Sequence, residues 1–212
     1  MGAFVVYCQD NDSYAFRERS LLTEYERIHQ ELIPDMSGEA RSGVRRCGAC
    51  GELIAKWDEP LSRLVLKKRK YDISITYDGV TAVSERFTII YERNNLCGLV
   101  FRPLPDDSAF YAISPSRAVE FDPERRKTRF IKRCQQCGHF ESVVGATPVY
   151  LKAGVRIGDR EFVRTDLEFG SHDEKHPLLL CGESAGQALS TADLKGLDLI
   201  PVDEIAAEPV AK

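Results

Sequence analysis

The chain has 212 residues, of which 43% are hydrophobic and 29% are charged, and its formal net charge is −4. This composition is typical of globular proteins and argues against wholesale disorder. The sequence contains no run of 18 apolar residues, so no transmembrane helix is predicted. The N-terminal apolar run covers only residues 3–8 and follows no basic region, unlike a secretory signal. We therefore expect a cytoplasmic protein that does not bind membranes.

The charges are distributed unevenly along the chain. Residues 1–40 carry a formal charge of −5, residues 41–140 carry +7, and residues 141–212 carry −6. Such a distribution predicts a polarised surface if the fold keeps these segments apart. The alternative is a mosaic of solvated faces with no functional meaning.

The N-terminal region, residues 1–43, is predicted to contain a strand followed by an amphipathic helix. The apolar residues 3–8 form the candidate strand. Residues 12–33 carry four apolar side chains at helical spacing, and the predicted helix ends before Pro34. The small and polar residues 35–43 are typical of a linker.

Residues 44–120 are predicted to form a first module of strands and one helix. Apolar and polar residues alternate from Tyr71 to Tyr77, which indicates a half-buried strand. Ser84 is a favourable N-cap for a helix that ends at Asn94, and Asn94 and Asn95 can adopt a left-handed turn. Residues 110–113 are predicted to form another strand.

Residues 121–203 are predicted to form a second module of the same kind. Residues 177–181 indicate a short buried strand, and residues 170–175 a polar loop. A helix is expected from Glu183 to Lys195, where Gly196 ends it. The tail, residues 204–212, is expected to be frayed.

The strongest chemical signal is a CxxCG motif that occurs twice. Two residues between cysteines allow both sulfurs to reach one ion, and the following glycine tolerates a positive φ. Two such knuckles supply four thiolates, which close a tetrahedral site and leave no position for substrate. We therefore predict one structural Zn²⁺ held by Cys47, Cys50, Cys134 and Cys137.

Alternatives to this zinc site remain open. A rubredoxin-like iron site would use the same four thiolates, and two separate dithiol redox sites would also contain CxxC motifs. His139 follows the second knuckle and could replace a cysteine, although an exposed position beside the site is favoured. Cys97 and Cys181 are interpreted as small buried apolar residues, and Cys8 ends the first predicted strand.

A second repeat links the two modules. Residues 96–104 and 194–202 share the pattern L-x-G-L-x-φ-x-P-φ, in which φ is apolar, and each follows a predicted helix. The fold class predicted is α+β, with two related strand/helix/strand modules, each led by a CxxCG zinc knuckle and joined through one four-cysteine metal site. The alternative is a chance similarity between two unrelated units.

Basic runs flank the knuckles at residues 45–46, 67–70 and 125–133. Zinc ribbons often bind nucleic acid, so these residues could form a phosphate-binding face. We favour instead a balance of charge, because four thiolates on Zn²⁺ leave a net charge of −2. The sequence contains no phosphate-binding glycine loop, HExxH motif or nucleophile elbow, so no enzyme is expected.

The combination of motifs resembles the double-CXXCG motif family of myxobacteria. The resemblance is carried by the two CxxCG motifs, the segment Arg164–Gly170, the segment Glu174–Leu178 and the LKGL sequence at 194–197. It is strongest over residues 130–202 and weaker over residues 47–120. Only the four cysteines carry over with a physical role.

The resemblance implies an immunity protein that binds and neutralises a cognate toxin and catalyses nothing itself. The toxin would be a protein, for example a nuclease, whose cationic cleft suits an acidic partner. Two other classes remain as alternatives: a zinc-ribbon regulator that binds nucleic acid, and a thiol-based or metal enzyme.

Overall fold

The computed structural model describes residues 2–16, 46–54, 56–58, 61 and 64–202. These residues form a mixed α+β fold in which strands greatly outnumber helices. The predicted helix at 12–33 falls mainly on residues 17–33, outside the described residues, as do the linker at 35–43 and the tail at 204–212; residues 12–16 are not helical. The strands are β1 (Ala3–Asp10), β2 (Ile73–Ile75), β3 (Thr81–Ser84), β4 (Leu99–Leu104), β5 (Asp107–Pro115), β6 (Ala118–Val119), β7 (Arg129–Arg133), β8 (Phe140–Val144), β9 (Phe162–Ser171), β10 (His176–Gly182) and β11 (Leu197–Pro201).

The described helices are short. They are α1 (Glu85–Arg93), α2 (Pro123–Arg126) and α3 (Glu183–Thr191), with 3₁₀ turns at Lys56–Asp58 and His172–Glu174. Within the described part of the chain, no helix combines the length and apolar character needed to cross a membrane.

The strands are hydrogen-bonded in the order β4-β5-β3-β2-β1-β10-β9-β8-β7, and β11 also pairs with β1. Strand β6 follows β5 after two residues and pairs in parallel with β9. The chain connection from β5 to β6 therefore leads back to β9, the strand that follows β10 in this order. The N-terminal strand β1 lies between β2 and β10.

Three buried hydrophobic clusters support the strands. One cluster joins both nine-residue helices through Phe87 of α1 and Leu189 of α3, and it includes Val6 of β1. A second cluster includes Leu64, Ala82 and Ala112 of the first half, and the third lies mainly in the second half. The first cluster thus packs residues from both halves of the chain into one core.

Helix α1 confirms the predicted helix. The Ser84 hydroxyl accepts a hydrogen bond from the N–H of Phe87, and Asn95 adopts a left-handed φ of +49° after the helix. The second predicted helix is shorter than expected, because α3 ends at Thr191 and Asp193 adopts a φ of +48°. The carbonyl of Lys195 instead accepts hydrogen bonds from the N–H groups of Asp72 and Ile73.

Two parts of the sheet use the same pairing register. Strand β4 pairs antiparallel with β5 after α1, and β11 pairs antiparallel with β1 after α3. The matched pairs are Leu99–Pro115, Phe101–Ile113 and Pro103–Tyr111 in one place, and Leu197–Cys8, Leu199–Val6 and Pro201–Phe4 in the other. Strand β1 therefore pairs with β10 and β11 in the same way as β5 pairs with β3 and β4.

Candidate metal centre

The two knuckles have the same backbone hydrogen bonds. In the first, the N–H of Cys47 donates to the carbonyl of Glu52 at 2.9 Å, and the N–H of Gly51 donates to the carbonyl of Cys47 at 2.8 Å. In the second, the corresponding bonds are Cys134 to His139 at 2.8 Å and Gly138 to Cys134 at 2.9 Å. Each turn folds two thiols to one side of the chain.

An arginine precedes each knuckle and stabilises its turn. Arg46 donates to the carbonyl of Gly51 at 2.7 Å, and Arg133 donates to that of Gly138 at 3.3 Å. Both glycines adopt positive φ angles, +73° and +78°. This conformation is costly for residues with a Cβ, which explains why glycine follows the second cysteine of each motif.

The structure brings the four predicted cysteines together. Their sulfur atoms all lie within 4.8 Å of one another. The Sγ atoms of Cys47 and Cys134 are 3.8 Å apart, and those of Cys50 and Cys137 are 3.7 Å apart, although 87 residues separate the partners. These distances are too long for disulfides, whose S–S bond is about 2.05 Å.

The sulfur spacing suits a tetrahedral metal ion. With metal–sulfur bonds of about 2.3 Å, the sulfurs of a regular tetrahedron are about 3.8 Å apart. A metal at the centre could bind all four thiolates, and no coordination position would then remain open to a substrate or to water. The arrangement can therefore tie two distant chain segments together.

Backbone N–H groups favour charge on one thiol of each knuckle. The N–H groups of Ala49 and Cys50 lower the pKa of Cys47, and those of Cys137 and Gln136 lower the pKa of Cys134 to about 6. The N–H of Glu52 acts to lower the pKa of Cys50, but burial and the neighbouring sulfurs outweigh it and raise that pKa to about 12. The charge repulsion among these thiols would be relieved by a cation.

The first knuckle is fastened to the loop between β9 and β10. Arg46 forms a two-pronged ion pair with the carboxylate of Asp173, with N–O distances of 2.9 and 3.2 Å. The buried ammonium of Lys175 pairs with the buried carboxylate of Glu52 and donates to the carbonyl of His172 at 2.9 Å. These contacts hold the first knuckle beside the second half of the chain.

Lys56 adds a second buried ammonium to this junction. It donates to the carbonyls of Asp78 at 3.1 Å and Asp173 at 3.2 Å, and also to that of Lys175. Burial lowers the pKa of Lys56. The sequence did not predict the burial of Lys56 or Lys175, because an isolated lysine in a polar segment gives no local sign that tertiary contacts will bury it.

The other cysteines are outside the cluster. Cys181 is buried as predicted, and burial raises its pKa to about 12. The prediction for Cys97 is wrong: this residue is exposed, because its backbone pairs with Arg160 and Phe162 at the rim of the sheet. His139 lines a cavity together with Cys50 and Cys134.

No protein-family model matches the chain, and no curated protein matches it in sequence.

Proposed function

We propose that this chain is a cytoplasmic immunity protein, which binds and neutralises a cognate toxin, and that Zn²⁺ at Cys47, Cys50, Cys134 and Cys137 has a purely structural role. The observation that carries the proposal is the closed set of four thiols. Four thiolates complete the coordination of Zn²⁺, so no position remains for a substrate or an attacking water. The site itself therefore offers no catalysis, and the proposed action of the protein is binding.

The immunity role is proposed from the resemblance carried by the motif segments, two of which lie on neighbouring strands. Arg164–Gly170 lies in β9, and Glu174–Leu178 leads into β10. Thr165 links them, because its hydroxyl accepts a hydrogen bond from the N–H of Leu178 at 2.9 Å and donates to the carbonyl of Leu167 at 2.7 Å. This hairpin supports the loop that receives the first knuckle.

The two halves are proposed to be related modules. Besides the matched registers and knuckles, Thr76 repeats the role of Thr165. Its hydroxyl accepts a hydrogen bond from the N–H of Val80 at 2.9 Å and donates to Asp78 at 2.6 Å. Chance similarity of two unrelated units would not favour the same side-chain bond at the same place in each hairpin.

The toxin is proposed to be a protein with a cationic active site, such as a nuclease. The chain has a formal net charge of −4, which favours association with a cationic surface. Complementary charge raises the association rate and disfavours wrong partners. Such a complex would bury on the order of 1,600 Å².

The first test is whether a neighbouring reading frame encodes a toxin, and the second is co-expression of this chain with that toxin. The wild-type chain should rescue growth, and purified protein should abolish toxin activity at one chain per toxin. Cys47→Ser and Cys134→Ser should reduce protection, whereas Cys97→Ser, which changes an exposed cysteine outside the cluster, should not. Cell death despite soluble wild-type protein, or complete inhibition at far less than one chain per toxin, would contradict neutralisation by binding.

A nucleic-acid-binding regulator is the second candidate, because of one specific surface. Strand β7 is exposed along its whole length and carries Arg129, Lys132 and Arg133, with Phe130 also exposed. Binding to random DNA that weakens steeply with salt, and that weakens further in Arg129→Gln, would favour this candidate. Absence of such binding at low salt would leave toxin neutralisation as the better proposal.

A further inference from the structure

A cavity of about 210 Å³ has none of the four cysteines in its lining. Strands from both halves contribute to its wall, together with the 3₁₀ turn that carries Trp57. The lining includes Trp57, Thr81, Arg102, Ser114, Arg164 and Leu179.

Two guanidinium groups reach this cavity, and its lining contains no acidic residue. Arg102 forms no ion pair with any residue of the described ranges, and its Nε atom, which is buried in the cavity wall, has no hydrogen-bond partner. The hydrogen bond of the Arg164 side chain, from Nη1 to the carbonyl of Thr165, is long at 3.4 Å. Two guanidinium charges at one cavity, with no carboxylate in its lining, give the cavity a positive potential that favours an anion.

We propose that the cavity binds a small organic anion, with a carboxylate or phosphate head on Arg102 and Arg164 and an apolar body against Trp57 and Leu179. Guanidinium groups match both head groups because they can donate two parallel hydrogen bonds. The hydroxyls of Thr81 and Ser114 supply further polar groups for the head. The site does not depend on the toxin-binding role or on the metal.

The rest of the lining suits an apolar body. The indole N–H of Trp57 is already engaged by the carboxylate of Glu168, which orients the ring. Leu179 stands on β10, and Ile113 stands on β5. A wall of aromatic and aliphatic side chains with a few convergent polar groups is the usual composition of a small-molecule site.

The sheet itself does not require arginine at these two positions. Arg102 pairs with Ala112 across β4 and β5, and in the matched register Ile200 pairs with Val5. Arg164 likewise pairs with Leu179, and the matched pair is Ile75 with Thr81. Aliphatic residues therefore serve the matched backbone positions in the other half, so strand pairing alone does not account for the two charges at the cavity.

Trp57 makes the proposal directly testable, because it is the only tryptophan of the chain and lines the cavity. Its fluorescence is titrated with benzoate and with phenyl phosphate at constant ionic strength, and benzamide serves as the neutral control. Equilibrium dialysis with labelled benzoate and labelled phenyl phosphate measures binding independently of fluorescence. The stronger of the two probes identifies the preferred head group.

The variants are Arg102→Gln and Arg164→Gln, with Arg93→Gln at the exposed end of helix α1 as the matched control. Saturable binding of at least one anion is expected, with about tenfold weaker affinity in each cavity variant and no change in the control. A bound anion should also raise the midpoint of thermal unfolding of the wild type. If a cavity variant fails to fold, the shift in the unfolding midpoint of the wild type and the comparison with benzamide still test the proposal.

Three results would overturn the proposal. The first is no saturable binding of either anion in dialysis. The second is equal binding of benzamide, which would indicate an apolar cavity without anion selectivity. The third is the same affinity in Arg102→Gln, Arg164→Gln and Arg93→Gln, which would place the anion elsewhere on the surface.

Discussion

Gly98 and Gly196 each pack against the backbone of a strand in the opposite half of the chain. A Cβ on Gly98 would lie 2.3 Å from the carbonyl oxygen of Phe162, and a Cβ on Gly196 would lie 2.3 Å from that of Ile73. The residues that precede these glycines bond to the same strands. The carbonyl of Cys97 accepts a hydrogen bond from the N–H of Phe162, and the carbonyl of Lys195 accepts one from the N–H of Ile73. The loop after each nine-residue helix is therefore fixed to the other half.

This close approach predicts large losses of stability in Gly98→Ala and Gly196→Ala. Each substitution places a methyl group inside the contact distance of a backbone oxygen and also strains a positive φ. We expect the free energy of unfolding to fall by about 3 kcal/mol in each variant. Urea denaturation measures this change.

Gly154→Ala is the matched control for that experiment. Gly154 also has a positive φ, +84°, but a Cβ there would meet no atom within 4 Å. The free energy of unfolding of Gly154→Ala should therefore fall only by the cost of backbone strain, about 1 kcal/mol. Equal losses in all three variants would show that the close contacts do not determine stability.

The four-thiol cluster predicts one tightly bound Zn²⁺ per chain. Elemental analysis of purified protein should show this stoichiometry, and Cys47→Ser or Cys134→Ser should reduce it strongly. Chelation should lower the free energy of unfolding, because binding energy at structural zinc sites is folding energy. Cys97→Ser should retain the full metal content, and an equal loss in that variant would argue against the cluster.

The buried pair of Lys175 and Glu52 should be strongly coupled. Both side chains are only 7% exposed. Lys175→Met leaves the carboxylate of Glu52 buried without its cation and should cost about 3–5 kcal/mol. Lys175→Met combined with Glu52→Met should cost clearly less than the two single variants added together, as measured by urea denaturation.

The pair of Lys152 and Glu120 is the control for this cycle. Its N–O distance is 3.6 Å, and its side chains are 55% and 64% exposed. Solvent screens such a pair, so its coupling energy should be below about 1 kcal/mol. Coupling of similar size in the two cycles would contradict a special role for the buried pair.

His176 should contribute to acid sensitivity. Burial lowers the pKa of His176 below 6.5, and the nearby Lys56 acts in the same direction. The unfolded chain therefore binds this proton at higher pH than the native chain does, and stability falls as the pH decreases below about 6.5. His176→Gln should reduce the slope of unfolding free energy against pH between pH 7 and pH 5. An unaltered slope in His176→Gln would contradict the prediction.

Local signals in the sequence were sufficient for the knuckles and for α1. The CxxCG spacing sets the turn and the direction of both thiols, and Ser84 and Asn94 mark the helix ends by bonds to their near neighbours. These features depend on residues only a few positions apart. A single sequence therefore contains the information that determines them.

Tertiary contacts determined the features that the sequence did not predict. The helix α3 ends early because Lys195 pairs with β2, and Cys97 is exposed because its backbone pairs with the start of β9. The buried state of Lys56 and Lys175 depends on carbonyls and a carboxylate contributed by distant segments. The cavity with Arg102 and Arg164 likewise forms only where strands of both halves meet.

The position of β1 has a consequence for the order of folding. Residues 3–10 are synthesised before their antiparallel partners in β10 and β11, which begin at residues 176 and 197. Only the short parallel pairing with β2 can form early, and contacts of such long sequence separation slow folding. Removal of residues 197–201 would leave residues 4–8 of β1 without the partner that β11 provides along one edge.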